Sequence, residues 1–130
     1  MSAEILQGEA IAPRQFGPFD AADVARYADA SADNNPLHTD PAIAAKAGLA
    51  RPPIHGMLIM GCFESFLKEW RPSAQVVKLS AKFIRPVLID EAVEVSGKVV
   101  RATPDAPAVV RLTVKRDRDL VCLAEAVVRP

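Results

Sequence analysis

Apolar residues follow a helical spacing through the first half of the chain and alternate with polar ones through the second. Val24, Tyr27 and Ala28 recur at helical spacing behind Asp20, a good N-cap with Asp23 at the third helical position. That pattern predicts a helix over 21–30. Asn34, Asn35 and Pro36 cannot continue it, because the proline pushes Asn35 out of the helical region and the segment 31–37 favours a turn. A second short helix is punctuated by Asp40 as cap, Pro41 at the first position and Gly48 as a left-handed stop. Arg51-Pro52-Pro53 is rigid and extended. The third predicted helix, over 56–70, is apolar at nearly every position of its first half and later gains a polar face of Glu64, Ser65, Lys68 and Glu69. A helix this apolar is expected to be buried all round, with only its far end in water. Arg71-Pro72 ends it.

From Gln75 the period becomes two. Val93, Val95 and Val99 alternate with Glu94, Ser96 and Lys98, and Val110, Leu112 and Val114 with Arg111, Thr113 and Lys115. Strands are also predicted over 76–83 and 120–128, with a bend at Arg85-Pro86-Val87 and a charged hairpin tip at Arg116-Asp117-Arg118-Asp119. Residues 1–17 read as a short strand or an arm. Four strands after one hydrophobic helix, without βαβ alternation, predict an α+β fold in which an antiparallel sheet curls round that helix.

A chain of 130 residues, half of them hydrophobic, is expected to form one domain with a proper core. Sixteen basic and sixteen acidic residues cancel, which argues against a nucleic-acid or membrane-surface role. With no leader and no bilayer-spanning run read in the sequence, a cytoplasmic protein is expected. Cys62 and Cys122 lack metal-ligand spacing and are read as two reduced core thiols.

The chemistry concentrates in Tyr27–Gly61, which holds both histidines, His38 and His55, and the polar cluster Asp33, Asn34, Asn35, Pro36. An acid and an imidazole on a Pro-stiffened loop, close to the start of a buried helix, are the ingredients of a proton-transfer site. Taken singly, Asp33 is an ordinary turn residue and His38 an ordinary surface histidine. His55 reads first as a packing residue or a partner of a backbone carbonyl.

The string S-A-D-N-N-P-L-H-T-D, followed by A-x-x-A-G-L and I-H-G-M, resembles the MaoC-like family of (R)-specific enoyl-CoA hydratases and dehydratases. The lead-in F-x-x-x-D-V-x-x-Y-A and the later F-I-R-P-V match as well. The resemblance implies a single hot-dog domain over 1–130 that works as a homodimer or larger homo-oligomer. It also implies reversible hydration of a trans-2-enoyl thioester, carried by coenzyme A or acyl carrier protein, to the (3R)-hydroxyacyl thioester, with no metal or organic cofactor. By motif position Asp33 and His38 are the catalytic pair, Asn35 supports them, and Gly56 donates its backbone N–H to the thioester carbonyl.

The chemistry agrees with those assignments. Water addition needs a base for the water, a proton for the α-carbon and donors for an oxygen that becomes enolate-like. An acid and an imidazole on one water can supply the first two by exchanging roles. A glycine N–H at a helix N-terminus suits the third, and losing such a donor can cost roughly 3–4 kcal/mol. His55, Met57 and Glu64 are placed at the substrate, Met57 being core first and an acyl contact second. Lys46, Arg51 and Arg85 are candidates for the phosphates of coenzyme A. Arg111, Lys115, Arg116 and Arg118 are read as solvated.

Two departures from the family pattern stand out. Asp90-Glu91 replaces a common Gly-Asp, a change expected to affect a turn and not the chemistry. Glu64 stands where a small or hydroxyl residue is common; on a helical wheel it lies with Met57, Gly61 and Lys68, away from Ile59, Phe63, Phe66 and Trp70. It is read either as half of an exposed pair with Lys68 or as a carboxylate bordering the acyl tunnel, where it opposes a long alkyl chain. A thioesterase on the same fold and an inactive partner subunit are the alternatives. The first needs only a lone acid; the second would be expected to lack Asp33 or His38.

Overall fold

The computed structural model describes residues 4–129. In chain order it forms β1 (Ala10–Phe16), α1 (Ala21–Ser31), a 3-10 turn (Pro36–His38), α2 (Pro41–Lys46) and α3 (Gly56–Trp70). Then follow β2 (Gln75–Phe83), β3 (Val93–Thr103), β4 (Ala106–Arg116) and β5 (Asp119–Arg129). The segment expected to be a strand or arm thus supplies β1, while residues 1–3 lie outside the described residues. The Asp20 carboxylate accepts the Asp23 N–H at 2.8 Å and the Asp23 carboxylate accepts the Asp20 N–H at 2.9 Å, closing the capping box that starts α1.

The strands form one antiparallel sheet in the order β1-β3-β4-β5-β2. It curls round α3, which is the hot-dog arrangement. Phe63, Phe66 and Leu67 of α3 are buried against Val95 and Val99 of β3, Val110, Leu112 and Val114 of β4, and Val121 of β5. Each of those helix side chains contributes about 1.5–3 kcal/mol relative to exposure. Gly97 of β3 lets the helix sit this close: a Cβ there would lie 3.1 Å from Ile11 Cδ1 and 3.2 Å from Phe66 Cε2. At the far end of α3, Trp70 Nε1 donates to Glu9 Oε2 at 2.7 Å and Arg71 Nη2 to the same oxygen at 2.9 Å, pinning the segment before β1.

Three expectations need correction. The first half of α3 is not buried all round: Met57 is 60% exposed, and Gly61 and Glu64 are open too. A single sheet covers one side of a helix, and the stripe turned away from it is left open among the described residues. Glu64 and Lys68 do not pair, because Lys68 Nζ instead donates to the Ala74 carbonyl at 2.5 Å. Arg111, Lys115 and Arg118 are exposed as expected, but the Arg116 side chain is only 20% exposed and tied down. Cys62 and Cys122 are free and buried, and burial pushes both thiols up to about 11, as inert core cysteines require. No helix among the described residues is long and apolar enough to cross a membrane.

Candidate active site

Three local structures bring the polar cluster to the start of α3. Helix α1 stops at Ala32, whose left-handed φ of 60° turns the chain out, and Ser31 Oγ donates back to the Tyr27 carbonyl at 2.7 Å. Asn35, with φ −60° and ψ 120°, is extended as a residue before proline should be. Its side-chain oxygen accepts the Leu37 N–H at 3.0 Å, and its own N–H donates to Asp33 Oδ1 at 3.4 Å. Asn35 therefore links the acid to the turn that carries His38.

His38 Nδ1 lies 2.8 Å from the Pro53 carbonyl oxygen. A carbonyl can only accept, so Nδ1 carries the proton and Nε2 of the neutral ring keeps its lone pair. His55 is 2% exposed and stacks on His38, with ring centroids 3.9 Å apart and planes 22° apart; Tyr27 closes its other side at 4.8 Å. His55 Nε2 donates to the Asp33 backbone carbonyl at 3.2 Å and lies 4.0 Å from Asp33 Oδ2. Its Nδ1 is buried without a partner among the described residues. Next in the chain, Gly56 opens α3, and its N–H donates to no group among the described residues. That leaves one unspent donor, backed by the helix dipole, next in the chain to the ring that stacks on His38.

One side-chain atom from each of Asp33, His38 and His55 lies within 4.8 Å of the others, a spacing that could admit a metal ion. The stacking argues against chelation. In-plane lone pairs of two nearly parallel rings run side by side and do not converge on one point, as a tetrahedral cation needs. The arrangement suits proton exchange better.

Other expected site residues sit apart from this cluster. Met57 is on the open stripe of α3. Glu64, two turns along, lines a groove of about 370 Å³ with Met60, Gly61, Lys68, Val76 and Leu79. Lys46 is exposed at the end of α2. Arg51 lies 3.9 Å from Glu91 and Arg85 3.9 Å from Asp119. Arg85 also lines a groove of about 400 Å³ with Ile54, Gly56, Ile59, Phe83 and Ile84. A larger cavity of about 780 Å³, at Ile5, Leu6, Pro104, Pro107 and Arg129, contains none of the site residues.

Sequence reasoning missed the Pro53 carbonyl and the ring of Phe83. A main-chain acceptor leaves no mark in a side-chain pattern, although the rigid Pro52-Pro53 pair was a cue to fixed backbone there. Phe83 lies against Gly56, so that a Cβ on the glycine would be 3.1 Å from Phe83 Cζ.

The family model of the MaoC like domain matches residues 5–118. An (R)-specific enoyl-CoA hydratase of Aeromonas caviae is 37% identical over 111 residues, covering 82% of this chain and 81% of that protein. A mitochondrial 3-hydroxyacyl-[acyl-carrier-protein] dehydratase of Arabidopsis thaliana is 38% identical over 80 residues, which cover 62% of this chain but 48% of that protein. Among solved structures, the (R)-hydratase from A. caviae involved in PHA biosynthesis matches with a TM-score of 0.87 at 32% identity, over 96% of both chains. These relatives are enzymes.

Proposed function

This chain belongs to the MaoC-like domain family, and on that premise we propose that it is a hydratase/dehydratase of enoyl thioesters. It adds water reversibly to a trans-2-enoyl group on coenzyme A or acyl carrier protein and yields the (3R)-hydroxyacyl thioester. The observation that carries this reading is the tautomer of His38: Nδ1 is spent on the Pro53 carbonyl, which leaves Nε2 as the base, and the ring has a nitrogen within 4.8 Å of an Asp33 carboxylate oxygen. In the proposed reaction His38 and Asp33 hold one water. Its hydroxyl adds to the β-carbon, and the pair returns its proton to the α-carbon. The thioester oxygen gains charge as this happens and accepts the Gly56 N–H. Among the basic candidates, Arg85 has the strongest support for meeting a carrier phosphate, since it shares the Gly56 groove. A crotonyl-CoA hydration assay with chiral analysis of the product tests the reading. Release of free coenzyme A without hydration would instead favour a thioesterase.

The same reading takes the working form as a homodimer. Two edges of the sheet are open, β1 and β2. Both edges carry a register shift, between Ile11 and Arg14 in β1 and between Val76 and Lys78 in β2; β1 also holds Pro13, whereas β2 and its exit carry exposed Val77, Phe83 and Ile84. An apolar edge of this kind invites a second copy, which would also cover the Met57 stripe. Light scattering is expected to give twice 14.0 kDa or more. A monomer that stays fully active on dilution would refute this.

Glu64 bears on the acyl group. Its carboxylate lines the groove between α3 and β2 without an ion-pair partner among the described residues. A charge there opposes a long alkyl chain, because burying it beside hydrocarbon is costly. The enzyme is thus expected to prefer short or polar-tailed enoyl groups. Glu64→Ala should raise kcat/KM for octenoyl-CoA more than for crotonyl-CoA; equal effects on both would return Glu64 to a merely solvated face.

A further inference from the structure

The Pro53 carbonyl that fixes His38 lies on a short ribbon, and that ribbon is poor in hydrogen bonds of its own. Residues 52–54 run antiparallel to 87–89, with a bridge between Pro53 and Leu88. Ile54 N–H donates to the Val87 carbonyl at 2.8 Å and Ile89 N–H to the Pro52 carbonyl at 2.9 Å. Pro52, Pro53 and Pro86 have no N–H to add. What closes the ribbon from outside is a pair of charges. Glu91 Oε1 accepts the Leu88 N–H at 2.7 Å, and Arg116 Nη1 donates to the Pro86 carbonyl at 2.7 Å and to Glu91 Oε1 at 3.3 Å. Asp119 Oδ2 holds the other arm of the guanidinium at 3.5 Å, and Arg51 approaches Glu91 Oε2 at 3.9 Å. The Arg116 and Glu91 side chains are 20% and 22% exposed, so water screens these bonds less than it would on an open surface.

We infer that Glu91 and Arg116 are positioning residues for His38. They hold the loop 86–88 against residues 52–54 and so keep the Pro53 carbonyl at the distance that selects the Nδ1–H form of the ring. Neither residue touches the proposed reacting atoms. The chain of contacts runs from the end of β4, through two main-chain segments, to the imidazole. Asp90-Glu91 is therefore not only a turn, and Arg116 is not a solvated tip. The kinetic consequence rests on the hydratase reading; the effect on the tautomer does not.

The test uses Arg116→Met and Glu91→Met in the full chain, with nitrogen-15 in both histidine rings. The protein has only two histidines, so long-range proton–nitrogen spectra report His38 and His55 separately. In the wild type His38 is expected as the Nδ1–H tautomer, and in either variant as a mixture, because the bond made by one ring nitrogen decides the state of the other. With crotonyl-CoA, kcat should fall about tenfold, while KM stays within about twofold, as for a group displaced by a fraction of an ångström. Arg116→Lys separates charge from geometry. It should restore the melting temperature but not the tautomer, because one ammonium cannot reproduce the two-armed grip of the guanidinium. Folded variants that keep the His38 Nδ1–H signal and wild-type kcat would overturn the inference. If Arg116→Met does not fold, Glu91→Met decides alone. If the wild type fails to hydrate enoyl-CoA, the hydratase reading falls and the spectra still judge the clamp.

Discussion

Asp33→Asn and His38→Gln are each expected to lower crotonyl-CoA hydration by at least about 10²-fold without unfolding the protein. Asparagine keeps the shape of Asp33 and an oxygen for the Asn35 N–H, which now reaches Oδ1 at 3.4 Å. It cannot take up a proton as a carboxylate does. Glutamine at position 38 can still donate to the Pro53 carbonyl, at 2.8 Å from the native ring, but offers no base in place of Nε2. Each change therefore removes one half of the proton exchange and leaves most of the local hydrogen bonding. Melting curves should move little, since Asp33 is about half exposed and its carboxylate accepts only from the turn beside it. Near wild-type turnover in either variant would show that its residue has been assigned the wrong task.

His55 shows how a buried ring differs from the pair it supports. It is sandwiched by His38 and Tyr27 and holds the Asp33 carbonyl, so its reach is to the main chain of the acid loop. In the sequence it reads first as a packing residue or a partner of a backbone carbonyl, and the ring does both. The bounds of α3 were legible because the punctuating residues, Gly56 and Arg71-Pro72, act locally. Strands β3 and β4 were legible from alternation, since one sheet face is core and the other is not.

What escaped the sequence was everything decided by distant partners. Arg116 falls in phase with the core-facing Val110, Leu112 and Val114, but a charge at a hairpin tip reads as solvated; the Pro86 carbonyl and Glu91 draw it in across 30 and 25 residues of chain. The open stripe of α3 escaped for the opposite reason. Composition reports how apolar Met57 is, but not that the sheet of one chain ends before it covers that side chain.

Gly56→Ala is the second large effect, and its cause can be isolated. The N–H survives the substitution, so any loss must come from displacement. The new Cβ would stand 3.1 Å from Phe83 Cζ and 3.2 Å from Cε2, a contact tight enough that something must give by a few tenths of an ångström. Either the ring swings away or the first turn of α3 moves, and with it the donor meant for the thioester oxygen. A shift of that size is enough to lower kcat/KM by about tenfold. Phe83 is 43% exposed and lies at the end of β2, so Phe83→Ala should fold and remove the obstacle. Adding Gly56→Ala to that background should then cost far less than it costs the wild type, a coupling that only contacting residues give. The same loss in both backgrounds would clear Phe83 of responsibility. A Gly56→Ala enzyme as fast as the wild type would show that the half-exposed Phe83 ring gives way and the first turn of α3 stays in place.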